Sequence, residues 1–260
     1  RGLPGVSTTD PEGERQWDEQ LRIWGDGRFP TSWGTLKIGT LAQSLNLRYR
    51  NPALSIDQTG QTFSASAEAT ATTTIGSHWM VSGGLSLRHR QADHPRLADR
   101  SDEQITAGFL SGMGRYGRLR LFPMLRADTY FLNGSRSPMV AATPQLGLNV
   151  QPFARYDLRV KSSVGRSFRM PTLNDRYWVP GGNPDLQPKH GWNADAGIVL
   201  PRSHHQFELT VYSTWINNQI TWEPTNAGHW SPSNVARMRS RGIEASYRLR
   251  YPLAPRVALH

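Results

Sequence analysis

The chain has 260 residues, a net charge of +10 and no cysteine, with a hydrophobic fraction of 37% and a mean hydropathy of −0.56. The absence of cysteine excludes a disulfide framework and a thiolate metal site, and the absence of any run of about 18 apolar residues excludes a transmembrane helix. The arginines are spread along the chain instead of forming one basic cluster, so we expect no nucleic-acid partner.

Apolar and polar residues alternate along most of the chain, which is the two-residue period of β-strands. Leu119, Leu121 and Leu125, for example, occupy one set of alternate positions, and arginines share the other set. With breaks placed at Gly, Pro, Asn and Asp, the pattern predicts about twelve strands. Their predicted ranges are 16–29, 33–50, 62–74, 77–90, 102–115, 117–131, 139–151, 155–169, 190–200, 205–222, 235–251 and 256 onward.

The predicted connections alternate in length. The short ones fall at 30–32, 75–76, 116, 152–154, 201–204 and 252–255. The long ones fall at 51–61, 91–101, 132–138, 170–189 and 223–234. This sorting is expected when all turns lie on one side of a membrane and all loops on the other. We therefore predict an all-β fold, an antiparallel transmembrane β-barrel with short turns on one side and long loops on the other.

A membrane barrel directs its apolar side chains to the lipid and its polar side chains to the lumen. Arginines at the polar positions of this pattern, or in the adjoining turns, are therefore expected to face the lumen. They are Arg118, Arg120, Arg126, Arg159, Arg248 and Arg250.

One segment breaks the alternation. Residues 167–188 read SFRMPTLNDRYWVPGGNPDLQP, and this density of proline and glycine cannot continue a helix or a central strand. Aromatic, amide and carboxylate side chains concentrate in this predicted loop and near the connection at 223–234, and such groups suit a bulky polar ligand. The predicted ligand contacts are Asn174, Asp175, Tyr177, Trp178, Asn183, Trp222 and Trp230.

The run from Phe168 to Trp178, followed by Gly182 to Pro188, resembles the F-R-x-P-T-x-N-D-x-Y-W and G-N-P-x-L-x-P motifs of TonB-dependent outer-membrane receptors. The resemblance extends over most of the chain and is nearest to the cobalamin-type receptors. It implies a receptor and transporter in the outer membrane of a Gram-negative bacterium, which takes up a bulky scarce nutrient such as a cobalamin or a ferric siderophore. Its implied partners are outer-membrane lipid, the energy-transducing TonB protein, a plug domain and the nutrient itself.

Receptors of this family have a 22-stranded barrel closed by a plug. The chain carries about twelve predicted strands and no recognisable plug or signal peptide. We therefore expect residues 1–260 to be a fragment of the barrel domain, with the plug domain and the C-terminal strands absent.

Two other interpretations stay open from the sequence. One is a passive, porin-like barrel or a barrel enzyme, and the other is a soluble all-β binding module. The sequence has no G-x-S-x-G, H-E-x-x-H or S-x-x-K motif, so we expect no catalytic residue, no metal site and no cofactor. Burial of Leu119, Leu121 and Leu125 would favour the soluble module, and outward orientation of the same residues would favour the membrane barrel.

Overall fold

The structure, a computed structural model, describes residues 13–97, 101–132, 138–254 and 257–259, with side chains described for all of these except 236 and the residues after 250. Within these ranges, none of the helices combines the length and the apolar character needed to cross a membrane.

Eleven consecutive strands form one antiparallel sheet, in which every strand pairs with its neighbours in the chain. The strands are β1 (Arg15–Thr31), β2 (Gly34–Asn51), β3 (Ile56–Ile75), β4 (Trp79–Asp93), β5 (Ser101–Tyr116), β6 (Leu119–Leu132), β7 (Met139–Val150), β8 (Arg159–Arg169), β9 (Lys189–Pro201), β10 (His205–Pro224) and β11 (Trp230–Leu249). Neighbour-to-neighbour antiparallel pairing of long strands is the arrangement of an up-and-down barrel wall. The prediction of an all-β antiparallel barrel segment is confirmed.

Four short elements lie outside this sheet. A 3₁₀ helix (Pro52–Leu54) follows β2, and one α-helical turn, α1 (Leu173–Tyr177), follows β8. The strands β12 (Tyr251–Ala254) and β13 (Val257–Leu259) pair only with each other in the described part of the chain.

The two sides of the sheet differ in chemistry, because successive side chains of a strand point to opposite faces. On one side Ile38 of β2 pairs with Ala69 of β3, which in turn pairs with Leu85 of β4. On the other side Lys37 pairs with Thr70. We call the first side the apolar face and the second the polar face, and the continuous register carries this division through all eleven strands.

The apolar face is open in this structure. Leu85 is 68% exposed and Leu125 is 52% exposed, while Leu119 and Leu121 are half-buried. A soluble sandwich would cover such a face with a second sheet, and no described strand packs over it. The outward orientation of these leucines therefore favours the membrane barrel over the soluble module.

The polar face lines an open groove with a volume of about 860 Å³. Charged side chains of both signs reach the groove, among them Lys37, Glu68 and Arg126. The Arg126 guanidinium donates to both carboxylate oxygens of Asp128 at 2.8 to 3.1 Å. Asp128 is only 8% exposed, so this ion pair is held partly out of water and keeps the Arg126 side chain fixed within the groove wall.

Three predicted connections are wrong in extent. The connection between β2 and β3 occupies 52–55 instead of 51–61, because residues 56–61 pair with β2 in the sheet. The connection between β7 and β8 occupies 151–158 instead of 152–154, because β8 begins only at Arg159. The connection between β10 and β11 is only 225–229 instead of 223–234, because Trp222 and Pro232 are partners in the sheet. Cross-strand pairing thus overrides the turn-like composition of 230–234.

The end of the chain also departs from the prediction. The expected twelfth strand from 256 onward contributes residues 257–259 to β13, which is not part of the eleven-stranded sheet. Residues 256 and 260, like most of the predicted connection at 132–138, lie outside the described residues.

Candidate ligand-binding loops

The segment 170–188 leaves the sheet at a buried corner formed by Met170 and Pro171. Thr172 then caps α1, and its hydroxyl accepts a hydrogen bond from the N–H of Asp175 at 3.1 Å. In return, the Asp175 carboxylate accepts from the N–H of Thr172 at 2.8 Å. This capping box satisfies donors that the start of a helix leaves unpaired, which explains a helical turn in a β-rich chain.

Asp175 also ties this helical turn to the rest of the loop end. The indole N–H of Trp222 in β10 donates to the second carboxylate oxygen of Asp175 at 2.9 Å. The backbone N–H of Asn183 donates to the carbonyl of Asp175 at 2.8 Å. One residue therefore joins α1, the following loop and β10.

Trp178 is held by the connection that follows β4. The His94 ring stacks on the Trp178 indole with a centroid distance of 5.5 Å and an interplanar angle of 23°. The Arg96 guanidinium lies 5.9 Å from the same ring, and the carbonyl of Arg96 accepts from the N–H of Val179 at 2.7 Å. A stacked imidazole and a nearby cation both suit the electron-rich faces of an indole.

His94 is kept neutral by its surroundings. Burial, followed by the positive charge of Arg96, lowers the pKa of His94, and Asp93 only partly opposes this effect. The Nδ1 atom of His94 accepts from the N–H of Arg96 at 3.0 Å, so the neutral ring carries its proton on Nε2.

The end of the segment is bound to β11. Asn234 accepts from the N–H of Gln187 at 2.8 Å and donates to the carbonyl of the same residue at 3.0 Å. The Asn183 side chain donates to the carbonyl of Pro232 at 3.2 Å, and Pro232 is fully buried. Gly181 adopts a φ of +116°, and any Cβ at this position would overlap the carbonyl oxygen of Trp230. Only glycine permits this close backbone approach.

Some predicted ligand contacts are engaged within the protein itself. Asp175, Asn183 and Trp222 hydrogen-bond to other parts of the loop end. Trp178 is held between His94 and the Arg96 guanidinium. These side chains build the frame of the candidate site, and ligand contact by them stays a prediction.

The remaining predicted contacts present surface to solvent. Trp230 is 59% exposed and Asn174 is exposed. Tyr177 is half-buried, with the Arg176 guanidinium 5.1 Å from its ring centroid. The frame thus carries an exposed indole, an amide and a cationic aromatic pair at one end of the sheet.

The predicted lumen arginines collect mainly at the short-turn end of the polar face. A pocket of about 270 Å³ has four arginines among its lining residues, which are Arg115, Arg118, Arg120 and Arg159. Arg159 is paired with Asp157 at 3.0 Å. Arg248 lies on the polar face of β11 opposite Gln206, and Arg250 follows β11 with its N–H donating to the carbonyl of His204. Contact between these arginines and a plug domain stays a prediction.

Comparison with known proteins decides the family. The family model described as "TonB dependent receptor-like, beta-barrel" matches residues 6–258. The chain belongs to the TonB-dependent receptors. Within this family, the vitamin B12 transporter BtuB of Photobacterium profundum is 34% identical over 169 residues, and that of Vibrio vulnificus is 35% identical over 103 residues.

Solved TonB-dependent receptors share the fold at low sequence identity. The siderophore receptor PirA of Pseudomonas aeruginosa has a TM-score of 0.72 at 20% identity, over 94% of this chain. The Serratia marcescens hemophore receptor HasR has a TM-score of 0.77 at 15% identity, over 89% of this chain.

The chain spans only part of these relatives. The matches cover 63% of this chain but 27% of the Photobacterium transporter, and 39% of this chain but 16% of the Vibrio transporter. The match to each of the two solved receptors covers 46% of the solved chain.

Several residues that hold the loop end of this TonB-dependent receptor are not among the predicted ligand contacts. His94, Arg96 and Asn234 lie far along the chain from the segment that they hold. Neither His94 nor Arg96 stands in a motif, so their contacts follow only from the pairing of β4 with β5 and the path of the intervening connection. In the described residues, no group of three His, Asp or Glu side chains could hold a metal ion.

Proposed function

We propose that this chain forms part of the barrel wall of an outer-membrane receptor in a Gram-negative bacterium, which captures a bulky scarce nutrient and is energised by TonB. The observation that carries the proposal is the rigid loop end, where a hydrogen-bonded frame presents Trp230 and Asn174 to solvent beside the cationic pair of Arg176 and Tyr177. Exposed aromatic and amide groups on a preformed frame suit a large polar ligand.

The two faces of the sheet support a membrane location. The apolar face exposes leucines such as Leu85 and Leu125 along the middle of the strands. The polar face holds the ion pair of Arg126 with Asp128 and the open groove. Membrane barrels require this division, because lipid cannot solvate charged side chains and a lumen can.

On the short-turn side of the candidate site, the polar face would contact a plug domain that another part of the receptor chain supplies. The arginine-lined pocket at the short-turn end, with Arg118, Arg120 and Arg159, has a geometry suited to acidic groups of such a plug. Displacement of the plug by the TonB protein would then let the nutrient pass through the lumen. In this mechanism the barrel wall binds and guides the ligand, and performs no bond-breaking step.

Cobalamin is the nutrient that we favour, because the relatives at 34% and 35% identity are vitamin B12 transporters. A ferric siderophore is the second candidate. The guanidinium groups of Arg96 and Arg176 lie beside the aromatic rings of Trp178 and Tyr177, and such cations would attract an anionic iron complex.

Calorimetric titration of the whole receptor in detergent tests the proposal, with cyanocobalamin and ferric enterobactin as the two probes. We expect saturable binding of cyanocobalamin and uptake that stops when the TonB protein is removed. Saturable binding of ferric enterobactin alone would move the assignment to the second nutrient. Failure to bind either probe, together with unselective passage of small sugars into liposomes, would support a passive barrel and refute the receptor function.

A further inference from the structure

Three arginines interrupt the apolar face of β11 near its loop end. Arg237, Arg239 and Arg241 follow one another on alternate positions, all exposed, and Ile243 continues the same row toward the short-turn end. Ile243 is 73% exposed, so the row passes directly from an apolar side chain to three cations. A strand that crosses from hydrocarbon into a headgroup region would have this order of side chains.

Two tryptophans mark the same level on the neighbouring strands. The register aligns Arg166 of β8 with Trp192 of β9, Trp192 with Trp215 of β10, and Trp215 with Arg239. Trp192 is 45% exposed and Trp215 is 40% exposed, and the Arg239 guanidinium lies 5.7 Å from the Trp215 ring centroid. Tryptophan is enriched at the boundary between hydrocarbon and headgroups, so this row gives the height of that boundary on the sheet.

The charge on this part of the apolar face has one sign. The acidic residues of β9 and β10 that lie below this level, Asp195 and Glu208, are on the polar face, as is Glu244 of β11. Glu223 of β10 lies nearer the loop end of the sheet than the three arginines, next to the connection to β11. The three arginines of β11 therefore have no carboxylate within ion-pair distance among the described side chains.

In the first half of the sheet, basic side chains near the loop end of the apolar face have acidic partners. There Arg48 of β2 pairs with Asp57 of β3 at 2.7 Å, and His89 of β4 lies 3.5 Å from Asp102 of β5. On that part of the apolar face, Arg48 and His89 therefore each have a carboxylate neighbour. The three arginines of β11 have no such neighbour among the described side chains, so their positive charge is available to an external partner.

We propose that Arg237, Arg239 and Arg241 bind phosphate groups of lipid headgroups in the outer leaflet, with Trp192 and Trp215 at the boundary on the level of Arg239. This inference rests on the proposed membrane location of the apolar face. Guanidinium groups bind phosphate oxygens through paired hydrogen bonds, and the interface excludes much of the water that would screen the charges. The proposal commits to phosphorylated lipid because the cations stand at the top of an apolar surface and not within the polar groove.

The experiment uses the whole receptor, purified in detergent and titrated with bis-phosphorylated lipid A or with the same lipid after removal of its phosphates. Native mass spectrometry counts the bound lipid. We expect the triple variant R237Q/R239Q/R241Q to bind the phosphorylated lipid on the order of a hundredfold more weakly than the unmodified receptor, from about one kcal/mol per cation. The dephosphorylated lipid should bind both proteins alike. The triple lysine variant, which keeps the charge, should recover most of the affinity.

Two controls isolate the site. Arg48→Gln removes an arginine from the same face that already has a carboxylate partner, and Arg248→Gln removes one from the opposite face of the same strand. Neither should change lipid binding. Equal binding of phosphorylated lipid by the glutamine triple variant, or equal loss in the Arg248→Gln control, would overturn the proposal.

Insertion into phosphatidylcholine vesicles is measured on the same samples by protease protection. A receptor that inserts but binds lipid A without regard to the three arginines refutes only the lipid-phosphate site. A receptor whose apolar face never enters the bilayer refutes the membrane location, and with it this site. If the glutamine triple variant fails to insert, the three single variants are compared, and each is expected to bind the phosphorylated lipid about fivefold more weakly, from about one kcal/mol per cation.

Discussion

The indole N–H of Trp222 donates to the Asp175 carboxylate at 2.9 Å, and the second oxygen of that carboxylate closes the helical cap with the N–H of Thr172. A strand residue and a helix cap thus share one side chain. The carboxylate of Asp175 therefore links the helical turn α1 to β10.

Trp222→Phe should release this helical turn while leaving the ring in place. A hydrogen bond to a charged acceptor contributes about 1.5–3 kcal/mol, so the amides of α1 should exchange with solvent roughly 10- to 150-fold faster. Hydrogen-exchange mass spectrometry of peptides covering 170–188 in the whole receptor measures the change. Trp230→Phe is the matched control, since the Trp230 side chain is exposed. Unchanged exchange in Trp222→Phe would show that the bond contributes nothing to the order of the loop.

Gly181→Ala should detach the loop from β11, because the new methyl group would overlap the backbone of Trp230. Gly228→Ala is a control with the same backbone requirement, since Gly228 also has a positive φ of +78° but open space around it. Gly228→Ala should lower the stability by about 1 kcal/mol, because alanine is strained at a positive φ. Gly181→Ala should lower it by at least about twice as much, because the steric overlap adds to this strain. Limited proteolysis within 170–188 distinguishes them, and equal cleavage rates would remove the role assigned to the close approach.

The contact between His94 and Trp178 should weaken in acid. Because the folded state lowers the pKa of His94, its stabilisation is complete above the unfolded pKa of about 6.5 and is lost as the pH falls through the lower folded value. Protonation of Nδ1 would also break its bond with the N–H of Arg96. Exchange of the Val179 amide, corrected for the intrinsic effect of pH, should therefore accelerate as the pH falls below about 6.5. His94→Phe, which stacks but does not titrate, should abolish this dependence.

Trp230→Ala should weaken capture of the nutrient without disturbing the frame. An exposed aromatic contact at a binding surface contributes about 1–2 kcal/mol, so the dissociation constant for cyanocobalamin should rise roughly 5- to 30-fold. Trp33→Ala is the matched control, because Trp33 is 50% exposed but lies in a turn at the opposite end of the sheet. A similar loss of affinity in both variants would point to a general effect on the barrel and exclude a local contact by Trp230.

Leu85→Arg should prevent assembly in the membrane, whereas Ser86→Arg should be tolerated. An arginine on the lipid face near the middle of the bilayer costs about 2–4 kcal/mol. Ser86 points to the polar face and pairs in register with Glu68, which offers the new arginine a carboxylate. The fraction of receptor that folds into vesicles, measured by heat-modifiable gel mobility, should fall only for Leu85→Arg. The reverse order would show that the two faces have been assigned to the wrong environments.

Much of the fold could be predicted because alternation is a local property of each strand. Leu119, Leu121 and Leu125 differ in the sequence itself from the arginines at 118, 120 and 126, and the structure keeps these two sets on opposite faces. The end of β8 was equally predictable, since Pro171 cannot continue the hydrogen bonding of a strand. The strand at 230–234 was missed because Pro232 and Asn234 are typical of turns, and only the partner strand β10 supplies the pairing that extends it.

The sequence by itself determined most of the strands, their two faces, the position of the 170–188 segment and the family, because each depends on residues close together in the chain. Only the tertiary structure decided which side chains hold that segment, since Trp222 meets Asp175 and Asn234 meets Gln187 across 47 residues. It also aligned Trp192, Trp215 and Arg239 in one row. The physical reason is register: hydrogen bonding between strands fixes which distant residues share a level, and no single strand carries that information.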